Sequence, residues 1–188
     1  RTVVVSTDDS EIESIAKDVG AEVPFLRKSD LSDDRTPTAP VIKDALMQMA
    51  DAGQRFEYCC CIYPCVPMLE INDLINGLAE LSHVSDAKFC YSITKYEHPI
   101  QRGMRKSSSG FMEFLDAQHE LTPTQKLETF YHDAGQFYWG TTDAWISGAK
   151  MHSDSSLGLV MPTWRAIDID DLDDWKRAEI QWGMLYRT

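Results

Sequence analysis

Short apolar runs alternate with longer amphipathic ones along the chain. Residues 2–6, with Val3-Val4-Val5 at their centre, read as a strand. Ser10 is placed to cap a helix over 11–19 that stops at Gly20. A short apolar stretch, Val23 to Leu26, gives way to the polar, Pro-containing segment Arg27 to Pro40, which reads as a loop. Val41, Ala45, Leu46 and Met49 recur at helical spacing, predicting a helix from Val41 to Ala52. Tyr58 to Tyr63 is apolar throughout, as expected of a strand covered on both faces, and Pro64 and Pro67 end it. A helix over Ile71 to Leu81, strands over Lys88 to Thr94 and Gln136 to Trp139, a strand-like stretch from Arg165 to Ile169 and a helix from Asp173 to Met184 complete the pattern. Such alternation predicts an α/β fold over residues 1–188, three layers with a mostly parallel sheet flanked by helices. The pattern loosens over about 94–132, where polar residues surround Phe111-Met112 and Phe114-Leu115; an excursion of that size in a compact domain is functional or interfacial.

Charge narrows the partners. With 18 Lys+Arg against 30 Asp+Glu, the net charge of −12 and the lack of a basic stripe exclude a nucleic-acid polymer as partner, though not a single nucleotide held with a metal ion. No apolar run approaches the ~18 residues that span a bilayer. The five cysteines lie at 59, 60, 61, 65 and 90, without a second Cys/His pair at zinc-site spacing. They read as small buried hydrophobes in a reducing, cytoplasmic setting.

In an open α/β sheet, ligands bind beyond the carboxyl ends of the strands. Four clusters fall at such ends: Ser6-Thr7-Asp8-Asp9, Tyr63 to Pro67, Gly135-Gln136, and Asp168-Ile169-Asp170. The last is the sharpest, because residues i and i+2 of an extended segment point the same way and can converge on one hard cation such as Mg²⁺. The bland alternative for the acidic run 168–174 is a solvated turn capping the last helix, a task that suits Asp173 and Asp174. Arg27 opens the polar loop, where a guanidinium can grip an anion or a base. Thr36 and Thr38 alternate with prolines in the same loop and offer hydroxyls to a base or sugar. His132-Asp133 is a poor acid–base pair, since adjacent side chains on an extended chain diverge. No phosphate-binding P-loop and no Gly-x-Ser-x-Gly elbow occurs.

Several strings together resemble the CMP-sugar synthetases that activate nine-carbon acidic sugars, in particular the pseudaminic acid cytidylyltransferases. They are Val3-Val4-Val5-Ser6-Thr7-Asp8-Asp9-Ser10-Glu11-Ile12, Val23-Pro24-Phe25-Leu26-Arg27, Leu31-Ser32-Asp33-Asp34 and Cys60-Cys61-Ile62-Tyr63-Pro64. Then follow His132-Asp133-Ala134-Gly135-Gln136-Phe137-Tyr138-Trp139 and Asp168-Ile169-Asp170 with Asp173-Asp174-Trp175. The order matches over nearly the whole chain, and the Ala134-to-Trp139 run is the most specific string.

The resemblance implies that CTP and a 2-keto acid sugar react with Mg²⁺ to give a CMP-sugar and pyrophosphate. It implies a nucleotide-sugar-transferase-like fold, and it places Arg27 at the cytidine end of CTP with Thr36 and Thr38 near the base. It makes Asp168 and Asp170 the paired metal-binding, catalytic aspartates and Tyr63 and Gln136 candidates for sugar selection. It also implies a homodimer through the 94–132 excursion. Sialic and legionaminic acids are the nearest alternative substrates, and a non-catalytic nucleotide-sugar-binding or assembly module is the alternative of another class. Two departures qualify the sugar: Pro64-Cys65-Val66-Pro67 lacks the Thr or Ser that relatives often carry, and Pro123-Thr124-Gln125 stands where relatives often carry an Arg. Against the family pattern the chain also starts after the opening strand and Gly-rich, Lys/Arg-bearing loop that cradles the triphosphate. The expectation from this is that the chain by itself is catalytically incompetent.

Overall fold

The structure, a computed structural model, describes residues 2–186. Its elements run α1 (Ser10–Asp18), α2 (Thr38–Asp51), β1 (Tyr58–Ile62), α3 (Ile71–His83), β2 (Phe89–Lys95), β3 (Met104–Lys106) and β4 (Met112–Phe114). They continue with β5 (Tyr131–Thr141), α4 (Thr142–Ser147), β6 (Ser156–Val160) and α5 (Leu172–Tyr186). Four strands are hydrogen-bonded in the order β1-β5-β2-β6 in a mixed sheet flanked by helices, and β3 pairs antiparallel with β4 in a separate ribbon. The expected α/β class is therefore observed. The chain divides into two compact units.

The first unit holds the described chain up to Cys61, with Asp86–Phe89 and Trp139–Ser156. Helix α1 begins one residue earlier than its pattern suggests, because the Asp9 carboxylate accepts from the Glu11 and Ile12 amides and so replaces Ser10 as the cap. Helix α2 starts at Thr38, three residues ahead of the expected start. Pro40 is no obstacle there, since a first-turn N–H has no intrahelical partner to lose. Leu46 and Met49 are its buried residues. Residues 2–6 do not form a strand: their only ladder pairing is one parallel bridge, Val4 to Glu22, and a β-branched run becomes a strand only along a neighbour that continues the ladder. Around Gly140, the rings of Phe89 and Trp145 meet edge to face at 5.0 Å, and Trp145 Nε1 donates to the Cys59 carbonyl. A Cβ on Gly140 would stand 2.5 Å from that indole nitrogen, so only glycine fits there.

The second unit holds Ile62–Ser85, Cys90–Tyr138 and the described chain from Leu157 on. Its buried residues include Met68, Leu81, Phe137, Met161 and Ile167. Helix α3 opens with a reciprocal cap: the Glu70 side chain accepts from the Asp73 amide, and the Asp73 carboxylate accepts from the Glu70 amide. Strand β5 begins at Tyr131, five residues ahead of the expected start, so its polar half is paired as well as its apolar half. The stretch 166–170 belongs to no strand, though burial alternates residue by residue along it as in an extended chain. At α5, the Asp171 carboxylate accepts from the Asp173 and Asp174 amides. Asp171 is thus the cap, in place of Asp173 and Asp174, which pair with Lys176 and Arg177 one turn on.

Candidate active site

The expected nucleotide residues all lie in the first unit. Arg27 is anchored rather than free: its amide donates to the Thr7 carbonyl at 2.7 Å, and its guanidinium donates to the hydroxyl and the carbonyl of Ser6. The sequence run Ser6-Thr7 therefore fixes the direction of the Arg27 side chain. In the following loop, the Asp33 carboxylate gathers the amides of Arg35 and Thr36 and the Thr36 hydroxyl, the last at 2.6 Å. These bonds, the hydroxyl first, hold Asp33 below the ordinary carboxylate range. Thr38 is the first residue of α2. The loop is thus organised by its own short-range turns, and its side chains are exposed or half-buried.

The other expected residues, Tyr63, Gln136, Asp168 and Asp170, lie in the second unit. Along 165–170 the odd positions turn inward: Arg165 and Ile167 are buried, and Ile169 packs on the cluster of Met68, Ile167 and Ala178. In an extended chain the even positions then face the other way, and Asp168 and Asp170 are indeed both exposed on one side. Asp168 reaches β5 at Gly135, which has φ +63°; a Cβ there would lie 2.8 Å from Asp168 Oδ2. Gly135 thus does two things no other residue can do at once: it takes a left-handed conformation and clears space for the carboxylate. Partial burial, then the charges of Asp170, Asp133 and Asp174, push Asp168 above the ordinary carboxylate range.

Tyr63 stands beside a second polar group. Its ring lies 5.0 Å from that of Tyr138, and Tyr91 stacks on the other side of Tyr138 at 5.9 Å. The buried Tyr138 hydroxyl donates to Asp133 Oδ2 at 2.9 Å and also bonds Tyr63. With the single Tyr138 proton committed to the carboxylate, the Tyr63 hydroxyl is the donor in the bond between the two tyrosines. Burial, then the Asp133 charge, hold Tyr138 far above the ordinary phenol value, so it remains a donor. Gln136 is 1% exposed; its Nε2 donates to the Arg165 carbonyl at 2.6 Å, which leaves the side chain no surface for a ligand.

The sequence carries no sign of roles for Tyr138, Asp73 and Arg165, and it offers Asp133 only as a poor acid–base partner for His132. The link between Asp133 and Tyr138 is not legible from strand register: residues five apart on a regular strand face opposite ways, and the left-handed Gly135 between them interrupts that alternation. His132 turns its Nδ1 to the Asp133 carbonyl, not to its carboxylate, and rests on Tyr96. Burial raises Cys59 to about 11 and Cys61 to about 12, so neither is a thiolate at neutral pH. A cavity of about 1030 Å³, lined by Cys65, Val66, Pro67, Trp175, Trp182 and Met184 among others, opens on the Ile169 side of the segment and is mostly apolar. It is not where the two carboxylates point. Among the described residues, no three His, Cys, Asp or Glu groups are arranged to hold a metal ion, and no helix is long and apolar enough to cross a membrane.

A mixed sheet flanked by helices makes this an α/β protein, with Asp168 and Asp170 exposed on one side of a segment outside the sheet. A solved CMP:2-keto-3-deoxy-manno-octonic acid synthetase, complexed with CTP, shares this fold at TM-score 0.63 and 10% identity, over 100% of this chain and 82% of that one. The family model for cytidylyltransferases matches residues 1–143, and the chain belongs to that family. A pseudaminic acid cytidylyltransferase of Campylobacter jejuni is 33% identical over 178 residues, 95% of this chain and 76% of that protein. A CMP-N,N'-diacetyllegionaminic acid synthase of Legionella pneumophila is 26% identical, over 94% of this chain and 76% of that protein.

Proposed function

We propose that this cytidylyltransferase transfers CMP from CTP to the anomeric hydroxyl of a nine-carbon 2-keto acid sugar, with pseudaminic acid as substrate. The sugar oxygen forms a bond to the α-phosphorus as the bond to pyrophosphate breaks, and the hydroxyl proton leaves with the attack. The observation that carries this reading is the pair Asp168 and Asp170, exposed on one side of their segment with Asp168 against Gly135, in a chain of which 95% matches a pseudaminic acid cytidylyltransferase.

The residues fit a hard divalent cation such as Mg²⁺. Two carboxylates share a face, neither joins an ion pair among the described residues, and partial burial, then the charge of Asp170, raises Asp168. Mg²⁺ commonly takes one or two carboxylates and completes its shell with water and phosphate oxygens, so two suffice. Asp168 and Asp170 would hold it, and when bound it would neutralise charge on the triphosphate. Arg27, Thr36 and Thr38 serve the cytidine end of CTP. Tyr63 contributes to selection of the sugar, while Gln136, bonded to the Arg165 carbonyl, supports the carboxylate segment. Phe111, Met112, Leu115 and Leu121, all exposed on the 94–132 excursion, supply the contact of a homodimer. The reaction runs in the cytoplasm, where CTP is made.

The test is pyrophosphate release by the full gene product with CTP, Mg²⁺ and, in turn, pseudaminic, legionaminic and N-acetylneuraminic acids, with Asp170→Asn alongside. Release with pseudaminic acid, reduced at least ~100-fold in the variant, is expected. Release with another of the sugars alone would move the substrate and leave the reaction. Silence with all three in a folded, CTP-binding protein would favour a non-catalytic nucleotide-sugar-binding module.

A further inference from the structure

We infer that Arg165 is a positioning residue that sets the register of the Asp168 and Asp170 carboxylates by clamping their segment to the head of α3 through Asp73; this rests on the cation-holding role proposed for that pair. The stretch 166–170 belongs to no strand, so no ladder of backbone hydrogen bonds fixes it. In extended chain a slip of one residue exchanges the two faces, and would turn Asp168 inward and Ile167 outward. Something other than a ladder must prevent this.

The Arg165 guanidinium forms a two-pronged bond to the Asp73 carboxylate, at 2.5 and 2.9 Å, and Nη1 also reaches the Met68 carbonyl at 3.2 Å. Both residues of the pair are 7% exposed. Asp73 is itself fixed, because the same carboxylate accepts from the Glu70 amide in the α3 cap. The Arg165 carbonyl is held from the other side by Gln136, which ties the segment to β5 one residue beyond Gly135. Two residues on, Ile167 drops into the cluster with Met68. The side chain at 165 and the packing at 167 thus fix one register, and with it the side on which residues 168 and 170 emerge. Stability alone does not account for such a pair, since replacing a buried ion pair by neutral groups of similar volume is often neutral or stabilising. A planar fork with two bonds to one carboxylate fixes direction in a way a single ammonium cannot.

The test uses Mn²⁺ alone as the probe, titrated by electron paramagnetic resonance into the full gene product. Four proteins are compared: wild type, Arg165→Lys, the double variant Arg165→Met/Asp73→Asn, and Asp168→Asn. The double variant removes the buried pair together and leaves an acceptor for the α3 cap; Glu70, 3.7 Å from Arg165 Nη1, is half-exposed and its charge is left to water. It is therefore expected to fold even where Arg165→Lys does not, which circular dichroism and a cooperative melt check. The expected result is a loss of Mn²⁺ affinity of about 10-fold or more in the double variant, and in Arg165→Lys if folded, with near-complete loss in Asp168→Asn. Unchanged affinity in the folded double variant, beside loss in Asp168→Asn, would overturn the inference and leave the functional reading standing. Unchanged affinity in Asp168→Asn would overturn both.

Discussion

The two groups of site residues are held in place by different physics. Beyond Arg27, which is anchored to Ser6 and Thr7, the loop that carries Thr36 is tied together by bonds that mostly span two to six residues, around the exposed carboxylate of Asp33. The Asp168 segment is held by bonds that span 29 and 92 residues, made by side chains with almost no exposure. A locally built loop can shift to meet a ligand at small cost, because its bonds exchange readily with water. A segment held by buried partners has one geometry, and losing a partner leaves a buried polar group unsatisfied. Recognition of a base tolerates the first arrangement. On the role proposed for Asp168 and Asp170, two like charges sharing one cation require the second.

The largest break in this comparison comes from adding one methyl group. Gly135→Ala forces a left-handed alanine, at about 1–2 kcal/mol, and drives its Cβ against Asp168. Gly53 in the first unit is the control: φ is +84°, but nothing lies within 4 Å of an added Cβ. Both variants should lose the backbone increment in a urea melt. Gly135→Ala alone should lose pyrophosphate release, by about 100-fold or more, because the carboxylate has moved. Equal activity in the two variants would mean that the close approach at Gly135 has no part in the chemistry.

Removing the carboxylate itself has a smaller effect on stability, and of the opposite sign. Asp168 is raised above its ordinary value, so the stabilisation it gives is complete below that value, near 3.8, and is lost as pH rises through the elevated one. At pH 7 without divalent ions, Asp168→Asn removes a repelled charge and should melt higher. The group is exposed, so screening limits the gain to about 1–2 °C. Melts at pH 3 and pH 7 check the sign: the two proteins should converge at the lower pH and separate at the higher. A lower melting temperature for the variant at pH 7 would show that Asp168 is already paired with a cation.

The same division explains what could be read from the sequence. Periodicity located α2, α3, α5, β1 and β2 to within a few residues, because each buries one regular face. It gave no sign of α4, six residues long, or of β6, where Gly158 interrupts the apolar run. It promoted residues 2–6 to a strand, since β-branched composition marks the capacity to pair and says nothing of a neighbour. Within the site, Asp168 and Asp170 were legible because i, i+2 geometry is local. Gln136 was legible as a position but not as a buried one. Arg165 read as the polar end of a short apolar stretch, and nothing local connects it to an aspartate 92 residues earlier. The cap of α5 was misassigned because the acidic run offers several carboxylates within one turn, and which one folds back depends on where the helix starts.

The smallest expected effect sharpens the loop side of the comparison. Thr36→Ala removes the hydroxyl that is the main cause of the lowered Asp33 value, while the two amide bonds to Asp33 remain. Asp33 is fully exposed, so water replaces the lost donor and the melting temperature should stay within about 1 °C of wild type. The sign of its pH dependence is the reverse of that at Asp168: a lowered carboxylate stabilises above its ordinary value and loses that contribution as pH falls through the lowered one. Any difference between wild type and variant should therefore appear at neutral pH and vanish in acid. If the loop serves the cytidine end of CTP, the variant should raise KM for CTP by about 2–10-fold, with kcat within a factor of two, since a bond made equally in ground and transition states changes binding alone. An equal fall in kcat would place Thr36 among groups that act in the transition state, and the contrast between an adaptable loop and a fixed carboxylate segment would then fail at its softer end.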